Sequence, residues 1–80
     1  MLSKRRCPYT GVVNFYSDED PHMAVGSVVA GNERGFFWRY YTEPFARGGL
    51  ASDIGSAERE VRAAGLMAER QAQGDTRLAH

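Results

Sequence analysis

The stretch Phe36–Tyr41, Phe-Phe-Trp-Arg-Tyr-Tyr, constrains the fold more than any other part of this chain. Aromatic residues favour strands, and successive side chains of a strand point to opposite faces. The stretch therefore separates into Phe36, Trp38 and Tyr40 on one face and Phe37, Arg39 and Tyr41 on the other. Arg39 decides which face is inside, because an unpaired buried charge is strongly destabilising. Phe36, Trp38 and Tyr40 are the expected core.

So bulky a face calls for a partner with small side chains, and the C-terminal third supplies one. Ala57, Val61, Ala64, Ala68 and Ala72 recur at helical spacing. Gly65 lies at the edge of this stripe, and Arg59, Arg62, Glu69 and Arg70 lie on the other side. Small residues let a helix approach an aromatic strand closely. The helix is predicted from about Ala57 to about Gln73. Ser56 is its expected N-cap, with Glu58 and Glu60 in a first turn that favours acids, and Gly74 is its expected stop.

The N-terminal half reads as strands. Tyr9–Tyr16, YTGVVNFY, is the first, and Ser17–Pro21 is a polar break. His22–Ala30 is ambiguous: Asp20-Pro21 suits a helix start, whereas Val25, Val28, Val29 and Gly26 favour a strand. The strand is the preferred reading. Gly31–Gly35 suits a hairpin turn, Phe36–Thr42 is the third strand, and Glu43–Gly55 is a loop in which Leu50-Ala51 adds a brief edge pairing at most. The expected fold is α+β: a three-stranded antiparallel sheet followed by one long C-terminal helix packed on one face (β-β-β-α). It occupies residues 9–73 as a single domain. A flexible basic arm, residues 1–8 with Lys4, Arg5 and Arg6, precedes it, and a flexible tail, residues 74–80, follows.

Composition narrows the function classes. A chain of 80 residues buries only roughly 60% of its unfolded surface, so a partner subunit is one route to added stability. Ten Lys and Arg balance ten Asp and Glu, whereas dedicated nucleic-acid binders usually carry a basic excess. The single cysteine, Cys7, excludes an internal disulfide. No apolar run approaches the ~20 residues of a membrane span, and no apolar stretch of secretory type follows the N-terminal charges. A cytoplasmic location and no membrane partner are expected.

Catalytic and metal chemistry find little support. Asp18, Glu19 and Asp20 lack the spacing of a calcium loop and read as a solvated turn. His22 and His80 have no neighbouring ligand residues that would make a zinc site. Arg5 and Arg6 beside Cys7 favour its thiolate, but no base accompanies it. Gly48-Gly49 lacks the Lys-Ser/Thr of a phosphate loop. No acid, base and nucleophile can be placed together, so no cofactor and no enzymatic activity are expected.

Two surfaces remain. Phe37, Arg39 and Tyr41 form an aromatic–cation–aromatic row that can stack bases and contact phosphate, with Arg34, Arg47 and the basic arm as extensions. Arg34–Tyr41 partly matches the RNP1 pattern of RNA-recognition domains. Phe37 and Arg39 depart from it, however, and the short span between the first and third strands has no room for the helix and strand that family requires. The second surface is a dimer seam of Leu66, Ala63 and the aliphatic part of Arg62, because Leu66 projects away from the alanine stripe. The expected function is a small non-catalytic interaction module that self-associates as a homodimer or joins an unknown protein partner in a larger assembly. The alternative is a nucleic-acid-binding module using Phe37, Arg39, Tyr41 and the basic arm.

Overall fold

The computed structural model describes residues 2–31 and 35–78, with side chains through Gln71. Among the described residues five strands precede one helix: β1 (Leu2–Arg6), β2 (Val13–Ser17), β3 (Asp20–Ala30), β4 (Phe36–Tyr40), β5 (Arg47–Ala51) and α1 (Ile54–Leu78). The strands form one antiparallel sheet in sequence order, β1-β2-β3-β4-β5. The class is the expected one, an antiparallel sheet followed by a C-terminal helix, but the sheet has five strands rather than three.

Both extra strands are edges. Leu2–Arg6, expected in the flexible arm, pairs with β2 in the register Lys4↔Phe15 and Arg5↔Asn14. Arg47–Ala51, expected in the loop, pairs with β4 in the register Trp38↔Gly49. Between them, His22–Ala30 is a strand as preferred. β3 carries an irregularity opposite Phe15–Ser17, which absorbs the extra residues of its N-terminal half.

One face of the sheet builds the core. Val13, Phe15, Val28, Trp38 and Tyr40 are buried there against Ala57, Val61 and Ala64 of α1. Phe36 is half-buried beside them. The helix lies close because glycines, Gly26 on the sheet and Gly65 on the helix, sit at the contacts. A Cβ on Gly26 would stand 2.8 Å from Val61 Cγ1, and one on Gly65 would stand 2.8 Å from Leu2 Cδ1. Leu2 thus settles onto Gly65, while Arg62 Nη1 donates to the Leu2 carbonyl at 2.9 Å. Lys4 Nζ meets Glu58 Oε1 at 2.6 Å. These three contacts fasten β1 to the helix as well as to β2.

The helix begins earlier than expected. Asp53, not Ser56, is its N-cap: Asp53 Oδ1 accepts the Ser56 N–H at 2.8 Å, and Asp53 Oδ2 accepts the Ser56 hydroxyl at 3.0 Å. Glu58 and Glu60 consequently fall beyond the first turn, which holds no acid. The helix also runs through Gly74 to Leu78 rather than ending before it.

The Ser56 N–H, followed by the Ser56 hydroxyl, holds the Asp53 carboxyl below the ordinary range. A depressed folded-state pKa stabilises the fold above the unfolded value of about 3.9, and that stabilisation is lost as pH falls through the folded value. Asp53→Ala should therefore melt below wild type at neutral pH, and the gap should close on acidification through this window. Parallel thermal melts followed by circular dichroism check this. A gap that stays constant to the acid end would show that the cap's charge has no part in stability.

Candidate functional site: the open sheet face

α1 covers one face of the sheet, and among the described residues no element covers the other. β4 sets the character of this open face. Phe37 and Arg39 point outward between the buried Trp38 and Tyr40. Tyr41, just past the strand, donates its backbone N–H to the Val25 carbonyl at 2.8 Å and so stays in register. Its hydroxyl lies 2.5 Å from Ser27 Oγ, which tilts the ring across β3. The expected row Phe37–Arg39–Tyr41 is thus assembled on one surface, and all three residues are exposed.

Register adds residues that the sequence reading did not include. Val29 stands opposite Phe37 on β3, and Leu50 stands opposite it on β5. Exposure is 40% for Val29, 55% for Phe37 and 61% for Leu50, so an apolar row crosses three strands. The next row runs Arg5, Asn14, Ser27, Arg39 and Gly48 from β1 to β5. Arg5 also stacks on Tyr16, with its guanidinium carbon 4.7 Å from the ring centroid. These two rows carry two arginines and no carboxylate. Val29 was recognisable as a strand residue. Leu50 lies in a segment whose sequence suits a loop with brief edge pairing at most, and Arg5, expected to extend the row from a flexible arm, joins it as a residue of β1.

Other expected contributors lie elsewhere. Arg47 belongs to the helix side: its guanidinium lies over the Trp38 ring at 5.5 Å and meets Glu60 at 3.5 Å. It does not extend the outer row. Arg34 lies outside the described residues. The basic cluster divides, because Lys4 reaches Glu58 on the helix side while Arg5 faces outward. An arginine at position 47 and a lysine at position 4 are strand residues of the opposite parity, which no reading as loop or arm could reveal.

The residues of the expected seam also part company. Leu66 and Ala63 are exposed on α1. Arg62 is engaged within the chain, bonded to the Leu2 carbonyl and lying over the Phe15 ring at 5.2 Å. Leu66 borders a shallow recess with Leu2, Gly65 and Glu69.

The remaining chemistry is sparse. Cys7 sits in the β1–β2 turn, where the Thr10 side chain, with the backbone of Thr10 and Tyr9, holds the thiol below its ordinary value. Neighbouring arginines are not the cause. Among the described residues no group of three or more His, Cys, Asp or Glu is placed to hold a metal ion. No described helix is long and apolar enough to cross a membrane. No protein-family profile, characterised protein or solved structure matches the chain.

Proposed function

We propose that this protein is a small non-catalytic interaction module that self-associates in the cytoplasm. One observation carries the reading. A sheet covered on a single face leaves Val29, Phe37 and Leu50 exposed in one continuous row. Contiguous apolar surface on so small a domain marks a contact site, and a second subunit offsets the limited core of a short chain. The single thiol suits a reducing compartment.

A second reading has its own support. Arg5 and Arg39, with Tyr16, Phe37 and Tyr41, give the open face cations and rings without a carboxylate in the two central rows. That combination favours a single-stranded nucleic acid, whose bases stack and whose phosphates are salt-sensitive partners.

Sedimentation of the full chain over a wide concentration range, with and without a labelled oligonucleotide at two salt concentrations, separates the two. Self-association should appear without oligonucleotide and should raise the melting temperature with protein concentration. A protein that stays monomeric throughout and co-sediments with oligonucleotide only at low salt would replace the first reading by the second.

A further inference from the structure

The two edges of the sheet are not equivalent. β1 carries Lys4, Arg5 and Arg6, and charge of this kind blunts an edge against pairing. β5, Arg-Gly-Gly-Leu-Ala, has one charge, no proline and no register irregularity, and its first four residues are exposed. Its backbone is the unguarded one.

The direction of its free groups follows from β4. The Tyr41 N–H donates to the Val25 carbonyl, so the odd-numbered residues of β4 turn their backbone groups toward β3. The even-numbered residues then turn toward β5, because the two sides alternate in an antiparallel ladder. In the observed register Phe36, Trp38 and Tyr40 exchange hydrogen bonds with Ala51, Gly49 and Arg47. Gly48 and Leu50 are left with N–H and C=O groups directed away from the sheet.

We infer that β5 pairs antiparallel with β5 of a second copy about a two-fold axis at Gly49. This rests on the self-association proposed above and places its seam at the Leu50 end of the apolar row, along the edge of the sheet and not over its open face. The register is the one that uses every outward group: Gly48 faces Leu50 of the second copy, Leu50 faces its Gly48, and each pair exchanges two hydrogen bonds. The side chains agree with it. Leu50 lies over a residue without a Cβ, so the row of Val29, Phe37 and Leu50 meets, across the seam, the row of the second copy that begins at its Gly48. Arg47 faces Ala51 of the second copy and not another Arg47, so like charges stay apart. Gly49 faces Gly49, and beneath each lies a Trp38 indole, 3.1 Å from where a Cβ would stand. By contrast, face-to-face stacking of two open sheets would bring the central Arg39 residues of both copies into one dry interface. Edge pairing keeps them on the same wet side, separated by Leu50.

Leu50→Pro tests the assignment. The Leu50 N–H points outward, so proline removes a donor at the seam without removing a bond to β4, and an edge strand tolerates it there. Leu50→Lys keeps the donor but places a charge on the seam. Leu66→Glu alters the exposed face of α1 and leaves β5 untouched. In sedimentation velocity, both Leu50 variants should dimerise roughly tenfold or more weakly than wild type, with Leu66→Glu unchanged. Circular dichroism confirms that each variant is folded, and Leu50→Lys decides the matter if proline unfolds the chain. Wild-type dimers that persist in both Leu50 variants, or that are lost only in Leu66→Glu, overturn the edge and leave the self-associating module standing. A wild-type chain that is monomeric at every concentration overturns both.

Discussion

Trp38→Ala is expected to destabilise the fold by about 3–5 kcal/mol. Trp38 sits centrally on β4, paired with Val28 on one side and Gly49 on the other. Its indole lies across Gly49, is capped by the Arg47 guanidinium at 5.5 Å, and is 8% exposed. Removing it opens a cavity under β5, and Gly49 directly above has no side chain to fill the space. Small domains have total stabilities near the low end of about 5–15 kcal/mol, so most of the folded population should be lost. Urea unfolding followed by far-ultraviolet circular dichroism measures the effect, because the variant has lost the chain's one tryptophan. A midpoint equal to wild type would remove Trp38 from the core.

The second large effect is expected from Gly26→Ala, a loss of about 2 kcal/mol through overpacking. A Cβ there would stand 2.8 Å from the Arg39 carbonyl oxygen and 2.8 Å from Val61 Cγ1. The first atom is sheet backbone and cannot step aside. The second belongs to a helix held by Asp53 at its start and by Leu2 and Lys4 along its flank. In a double-mutant cycle, Val61→Ala should recover part of the loss, because it clears one of the two clashes. Strict additivity of the two variants would mean that the helix does not rest on Gly26. The same close approach accounts for the alanine stripe on α1: each side chain there faces a gap already narrowed by the aromatic residues below.

How far the sequence spoke differs from element to element. β4 was legible because alternation put a charge among rings, and Arg39 chose the outer face. The helix stripe was legible because its period is regular. His22–Ala30 was legible as a strand from its valines, although Gly26 read only as a weak helix former. Its true reason, contact with Val61, is tertiary. The helix start was misplaced because Asp53 and Ser56 are both good caps, and the local sequence does not say which carboxyl or hydroxyl reaches an N–H first.

The edges were the least legible. A strand exposed on both faces needs no alternation, so Leu-Ser-Lys-Arg-Arg and Arg-Gly-Gly-Leu-Ala carry no period to detect. Their pairing is decided by neighbours distant in sequence: Gly65 receives Leu2, and Trp38 leaves room only for Gly49. For the candidate site, the row Phe37, Arg39 and Tyr41 was available from alternation alone. Its continuation through Val29 and Leu50, and the removal of Arg47 to the helix side, depended on register across strands.

By itself, then, the sequence determined which face of the central strand is apolar and that a small-sided helix would cover it, because side-chain period is a local property. The tertiary structure alone decided how many strands join the sheet, which edge stays open, and which charged residues share the uncovered face. Those depend on backbone hydrogen bonds between segments far apart in the chain, and nearly every residue can supply the same donor and acceptor.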